Sequence, residues 1–479
     1  MQGEFSRRSV LKLCTGAAAL PAAPFNVLAQ GVGGTTRLGK IQVGVIGCGR
    51  IASSMDVAGL SQCPDLAVPV AAADCDRVRL NAMPERVRQL YGDTTVPELK
   101  LADDYHELLA NPAVDAVMIC TPDFCHAEIC IEAALAGKDV YVQKPLTMTV
   151  FEGRKIVEVL KKTERVFHIG SQQRSEGRST FGPQFRKAAE YVRDGRLGKL
   201  LKVEVGLPSD PAEPADLPLE QPVPPTFNFD RWLGRSPLAP YSELRTHPQG
   251  KNGKPRFGRP GWMTVRQYDL GMIANWGAHH LDIVQWALGM DDSGPVAAEG
   301  RAEFPKRRLW NTHGKFDVKL TYPGGLVVNV AGTDVYPNGI RFIGEKGWIF
   351  CSRNSEKTLI DVPSAGGKHG RWRPLEASEA ALISGEVEHP LARNKLSHHR
   401  VWLESIKSRK PTNIPPETAH RSTTACILAA TAMDLGRKLN WDPKAERFVN
   451  DDEANQTLSL PERAPYGVRN VLKRAGWES

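Results

Sequence analysis

The sequence predicts an α/β protein whose N-terminal domain is a doubly wound parallel sheet. Three observations predict it: a glycine-rich turn directly after a β-branched strand, an acidic residue closing the next strand, and a continuing alternation of apolar strands with helical stretches. At 479 residues the chain is too long for one ordinary core, so a second domain follows the first.

The first strand is Ile41 to Ile46, apolar and β-branched as a buried strand should be. Gly47-Cys48-Gly49-Arg50-Ile51-Ala52 follows at once and fits G-x-G-x-x-G/A in the context that gives the pattern meaning, after a strand and opening a helix. Gly47 permits the tight turn, Gly49 lets the backbone approach a pyrophosphate, and Ala52 keeps the helix close to the sheet. Phosphates would then rest on free N–H groups at a helix N-terminus, with Arg50 and Ile51 beside them.

The second strand, LAVPVAAADCD, ends in Asp74. A carboxylate there accepts hydrogen bonds from adenosine ribose hydroxyls and repels a 2′-phosphate, which favours NAD over NADP. Arg77 and Arg79 lie close enough to keep NADP open. Two further strands, Ala116 to Cys120 and Asp139 to Val142, flank a helical stretch. Doubly wound sheets bind ligands at the carboxyl ends of their strands. Thr121-Pro122, with His126 just beyond, and Gln143-Lys144-Pro145 occupy such ends, so the cofactor is expected against them and Lys144 is aimed into the crevice.

Composition narrows the function. Hydrophobic residues are 41% and charged residues 24%, which excludes a largely disordered chain. The net charge of +8 is mild over this length and no dense Lys/Arg run occurs, so no nucleic-acid partner is implied. Cys14, Cys48, Cys63, Cys75, Cys120, Cys125, Cys130, Cys351 and Cys426 form no CxxC pair and no zinc-like cluster, and read as reduced thiols with no metal site. Residues 1–29 read as a signal peptide: Arg7-Arg8, a modest apolar run, then Val27-Leu28-Ala29 as a cleavage site. The run is too short and too rich in Ala, Gly and Pro to span a membrane. The twin-arginine export machinery carries folded proteins, so a periplasmic or otherwise exported enzyme loaded with cofactor is expected. A linker at 30–39 leads into the first domain.

GVIGCGRIA, VDAVMICTPDFCHAE and AGKDVYVQKPL, in this order, resemble the Gfo/Idh/MocA oxidoreductases, the glucose–fructose oxidoreductase and inositol dehydrogenase group. HIGSQQRS, GRLGKLLKVEVG, FDRWLGRSP, GWIFCSR and LGRKLNWDPKAERFVNDDEA extend the likeness over nearly all of the chain after the signal. The resemblance implies a Rossmann domain at 40–173 and, at 174–479, an α+β domain with an open, mainly antiparallel sheet. It further implies that C-terminal helices and a tail return to the Rossmann domain, and that the chain is a homo-oligomer. The family's Glu-Lys-Pro stands here as Gln143-Lys144-Pro145, and the motif lysine, which contacts nicotinamide ribose and substrate hydroxyl, falls on Lys144. Arg174 falls where the family often keeps a substrate-side arginine.

The family pattern Asp-x-x-x-His-x-x-Asp appears as Asn275-Trp276-Gly277-Ala278-His279-His280-Leu281-Asp282. On one helix Asn275, His279 and Asp282 are neighbours. Oxidising a secondary alcohol needs a base for the hydroxyl proton, and an imidazole suits it. His279 is the expected base, Lys144 polarises the same hydroxyl, and Asn275 orients the imidazole without lending charge. Trp276, His280 and Asp282 are expected beside substrate, although vicinal histidines taken alone read first as packing residues and the tryptophan reads equally as core. The Pro-rich stretch between Gly206 and Arg231 reads as a surface excursion or a lid, and His247 to Met263 as a substrate-side loop.

The expected function is therefore an oxidoreductase that moves a hydride between a sugar or polyol and tightly bound NAD. Outside the cytoplasm the cofactor must be regenerated on the protein, one substrate reducing it and a second reoxidising it. An NAD-dependent glycoside hydrolase or lyase working by transient ring oxidation is the alternative, and a non-catalytic cofactor-binding sensor a second.

Overall fold

The computed structural model describes residues 39–92, 96–175, 183–210, 220–306, 308–353, 360–363, 369–372, 374–388, 390–391 and 397–477. The signal-peptide reading, Cys14 and most of the linker lie outside them, as does the middle of the Pro-rich excursion, 211–219.

Six strands build the first sheet: β1 (Ile41–Ile46), β2 (Ala67–Ala73), β3 (Lys100–Ala102), β4 (Ala116–Ile119), β5 (Asp139–Val142) and β6 (Phe167–Ile169). Their order is β3-β2-β1-β4-β5-β6 and every pairing is parallel, the expected doubly wound sheet. β2, β4 and β5 are buried at every position, as strands covered on both faces must be. Pro69 sits inside β2 without an N–H to give, and the β1–β2 register slips there, Val43 pairing with Pro69 and Gly44 with Ala71. The strand order reverses between β1 and β4, which opens a crevice at their carboxyl ends.

The second domain holds β7 (Leu200–Leu207), β8 (Ala297–Ala302), β9 (Phe316–Thr321), β10 (Val327–Gly332), β11 (Gly339–Gly344), β12 (Gly347–Cys351), a hairpin of β13 (Ile360–Pro363) and β14 (His369–Trp372), β15 (Leu375–Ala377), β16 (Leu439–Asp442) and β17 (Arg447–Phe448). Nine of them form one sheet, β15-β12-β11-β7-β10-β9-β8-β16-β17, antiparallel except for the β7–β10 pair. In β9, Phe316, Val318 and Leu320 are buried while Asp317 and Lys319 are exposed, so one face is a core face and the other is open.

The helix Pro416–Leu435 packs on β8 and on the helix Gly277–Ala287, and also on Val150–Thr163 of the first domain. It ties the two domains together. The tail helix Val468–Arg474 lies on His126–Leu135, and the Gly467 N–H donates to the Glu128 carboxylate at 2.8 Å. The eight described cysteines are free thiols.

Candidate active site

A cavity of about 520 Å³ runs along the crevice, within the size range of small-molecule sites. One end is the glycine turn. Gly47 has φ +87°, and a Cβ there would meet the backbone of Cys120 at 2.8 Å, so only glycine lets β1 and β4 approach this closely. Gly49, Arg50 and Ile51 line the cavity, and a Cβ on Gly49 would meet only the Arg79 guanidinium, at 3.3 Å, on that side. Ala52 is buried behind them. Asp74 closes β2 and also lines the cavity, its carboxylate accepting the N–H groups of Cys48 (2.7 Å) and Asp76 (2.8 Å). Burial pushes its pKa up to about 6, so further donors such as hydroxyls would favour its ionised form.

The cavity wall continues through Thr121, Pro122, Asp123, His126, Gln143 and Lys144. The Thr121 hydroxyl is buried without a partner among the described residues, one more group a ligand could satisfy. His126 bridges the two strand ends, its ring nitrogens 2.8 Å from the Pro145 carbonyl and 2.9 Å from the Thr121 carbonyl. These features fit a dinucleotide: a side-chain-free cradle, an acid at the second strand end, and unfilled polar groups beyond it. Residues of the second domain roof the cleft. His247, Gly258, Pro260 and Trp262 line it, and Arg79 donates to the carbonyls of Arg256 (3.1 Å) and Pro248 (3.4 Å) from below. His247 is tied to Asp76 at 2.8 Å.

Lys144 stands where the two domains meet, its Nζ donating to the Asn275 carbonyl at 2.9 Å. Burial lowers its pKa, opposed first by Asp123. Asn275 lines the same cavity. Both amides that replace family acids donate to a neighbouring carboxylate. Gln143 gives its NH₂ to both oxygens of the fully buried Asp56, at 2.8 and 2.9 Å, and Asn275 gives its NH₂ to Asp269 at 2.6 Å. In both motifs the amide thus meets a carboxyl group one side chain further out.

Several expected roles change in the structure. The helix carrying the motif is broken into Met272–Asn275 and Gly277–Ala287, and the Asn275 side chain turns to Asp269 instead of orienting His279. His279 is not among the residues that line the cavity. Its Nδ1 is buried without a partner among the described residues, and burial, then Arg353 and Lys144, hold the ring well below its ordinary pKa and hence neutral. His280 is fully buried, between Asn338 (3.0 Å) and Gln173 (3.4 Å), and serves packing. Arg174 and Asp282 face each other, both side chains 1% exposed and joined by two bonds of 2.8 Å, so this arginine holds a helix and not a substrate. Trp276 carries the Arg353 guanidinium 4.6 Å over its ring.

Arg353, Asp56, Asp123 and Asp269 are site residues that motif reading missed. Only Asp123, directly after Thr121-Pro122, carried a positional signal. Among the described residues no group of three His, Cys, Asp or Glu side chains could hold a metal, and no helix is long and apolar enough to cross a membrane.

Two family models match the chain. The Gfo/Idh/MocA oxidoreductase model for the NAD-binding Rossmann fold covers residues 41–171, and the C-terminal α/β domain model of the same family covers 214–364 and 388–468. Over 176 residues the chain is 31% identical to myo-inositol 2-dehydrogenase of Thermotoga maritima, a stretch covering 36% of this chain and 47% of that protein. Over 100 residues it is 34% identical to scyllo-inositol 2-dehydrogenase (NAD(+)) of Bacillus subtilis, 21% of this chain and 28% of that one. The chain thus spans about half or less of the length of these curated relatives. Among solved structures, the WlbA dehydrogenase of Bordetella pertussis in complex with NADH and UDP-GlcNAcA superposes with TM-score 0.56 at 17% identity, over 84% of this chain and 99% of that one. The aldose-aldose oxidoreductase of Caulobacter crescentus complexed with glycerol gives 0.56 at 18%, again over 84% and 99%. At these identities the likeness is one of fold.

Proposed function

The chain belongs to the Gfo/Idh/MocA oxidoreductase family, and on that premise we propose that it moves a hydride between a secondary alcohol of a sugar or polyol and tightly held NAD. One observation carries this reading: a single cavity is lined both by the glycine turn with Asp74 and by Lys144 with Asn275. Gly47, Gly49, Arg50 and Ile51 would cradle the pyrophosphate, Asp74 the adenosine ribose, and Thr121, Pro122 and Gln143 the nicotinamide half. Bound there, NAD supplies the hydride acceptor.

Lys144, at the cavity wall, is the residue placed to meet the reacting hydroxyl. Its lowered pKa makes the amine accessible, so that it can take the hydroxyl proton and then, as ammonium, stabilise charge on that oxygen. His279, neutral and nearby, supports the site without adding a second cation. Tight holding is supported by the roof: His247, Gly258, Pro260 and Trp262 line the cavity from the second domain, and Arg79 of the first domain donates to the Arg256 carbonyl. The dinucleotide is then reduced by one substrate and reoxidised by another without leaving.

The test is direct. Purified protein is expected to release NAD on denaturation, detected by mass spectrometry, and to change absorbance at the nicotinamide band with at least one member of a panel of aldoses, inositols and glycosides. An empty protein that reduces no added NAD with any of them would sink the reading. Aglycone release without net NADH would move it to hydrolysis.

Residues 1–29 act in this reading as a twin-arginine signal, and the enzyme works outside the cytoplasm. Replacing Arg7 and Arg8 by lysine is expected to leave the full-length protein in the cytoplasmic fraction; unchanged export would refute that part. The open face of the nine-stranded sheet pairs with a second copy.

A further inference from the structure

Asp123 follows the carboxyl end of β4 and lines the cavity; Asp269 lies in the loop before Asn275. Phe124 and Tyr268, their immediate neighbours, pack ring to ring at 5.0 Å, and the two carboxyls lie within hydrogen-bond reach of each other. Asp269 accepts the Gly271 N–H and the Asn275 NH₂, both at 2.6 Å. Asp123 is buried and its Oδ2 accepts from no donor among the described residues. Two carboxyls this close in a buried site cannot both stay ionised, since oxygen would face oxygen with no proton between them.

These contacts close a ring. Lys144 donates to the Asn275 carbonyl, the Asn275 amide donates to Asp269, Asp269 meets Asp123, and Asp123 faces Lys144. Other charges around it are few. Arg353 and Arg50 act on Lys144 as like charges, and Asp210, itself paired with Arg259 at 2.6 Å, acts on Asp269. We propose that Asp123 and Asp269 share one proton and together present a single negative charge to Lys144, taking over the task that a carboxylate at position 275 would otherwise perform. The pair are positioning residues: they set the charge state of the lysine and do not touch substrate through Asp269. Burial raises both acids, Asp123 to about 7, and each raises the demand for a shared proton. This inference rests on the function proposed above only in what Lys144 is for.

The test reads Lys144 itself. The purified full-length protein is acetylated with trace acetic anhydride across a pH series, and modification of Lys144 is quantified by mass spectrometry, which gives the midpoint of its titration without substrate. Asp269→Asn leaves Asp123 as the one charge, so the midpoint should stay near wild type. Asp123→Asn/Asp269→Asn removes the charge, and the midpoint should fall by about 1–3 pH units, the shift an adjacent opposite charge produces. Adding Asn275→Asp to that double variant should recover most of the fall. An unchanged midpoint in the double variant, or no recovery on adding Asp at 275, overturns the proposal. If the double variant fails to fold by thermal melt, Asp123→Asn alone must, like Asp269→Asn, leave the midpoint near wild type, because Asp269 then carries the one charge, and a fall of about 1 pH unit or more overturns the idea. A protein that titrates as expected yet reduces no NAD refutes the functional reading and leaves the carboxyl pair standing.

Discussion

Lys144→Ala is expected to lower turnover by about 10²–10⁴-fold while the dinucleotide stays bound. That is the usual scale for removing one positioned proton-transfer group, about 3–5 kcal/mol of barrier. The side chain stands on the cavity wall and, among the described residues, its Nζ donates to one protein carbonyl, that of Asn275, so truncation removes the cation and the proton acceptor together and leaves the fold's main supports intact. The cofactor end, Gly47 to Ile51 and Asp74, lies on other strand ends and keeps its geometry. Lys144→Arg is expected to rescue little, because a guanidinium keeps the positive charge but cannot take up and release a proton near neutral pH. The measurement is the rate of absorbance change at the nicotinamide band on mixing with a substrate found for the wild type, beside the amount of NAD released on denaturation. Wild-type turnover in Lys144→Ala would remove the lysine from the chemistry. Lost NAD with unchanged chemistry per bound cofactor would make it a binding residue only.

The first domain was legible because its signals are local. A buried strand, a glycine turn and an acid at the next strand end lie within some thirty residues and fix one another's meaning. The mainly antiparallel sheet of the second domain came from family likeness, since its strands at best alternate over a few residues, as β9 does. The site was legible only where one segment carries it. Asn275 was read as the neighbour of His279 on one helix, yet the helix breaks at Trp276 and Asn275 answers to Asp269, six residues earlier. Gln143 looked like a lost charge, and nothing in QKP reveals Asp56, 87 residues away, to which it donates. In both cases the amide contacts a carboxyl group outside its own motif, which a one-dimensional pattern registers as a loss. Arg174 and Asp282 failed for the same reason, each looking available because its partner is 108 residues distant.

That pair yields the largest expected loss of stability. Asp282 on the helix Gly277–Ala287 accepts Arg174 Nε on one oxygen and Arg174 Nη2 on the other, each at 2.8 Å, and the Ser422 hydroxyl at 2.7 Å from the helix Pro416–Leu435. It therefore joins three segments at a point where neither charge reaches water. Burial pushes its pKa up and Arg174 pulls it back, so its ionised state depends on that partner. Asp282→Ala leaves a buried guanidinium with the backbone carbonyl of residue 282, at 3.1 Å, and with Asp291, whose side chain is 36% exposed and whose bonds are 2.8 and 3.2 Å. Breaking such a pair from one side costs about 3–5 kcal/mol, whereas Asp291→Ala, at the rim, should cost about 1 kcal/mol or less. Arg174→Met combined with Asp282→Leu should recover most of the loss, because apolar groups of similar volume remove both desolvation penalties at once. Urea or thermal unfolding of the four proteins decides it. Equal losses for Asp282→Ala and Asp291→Ala would mean the buried pair is not the support described, and a folded Asp282→Ala with a raised KM but unchanged stability would return both residues to the substrate.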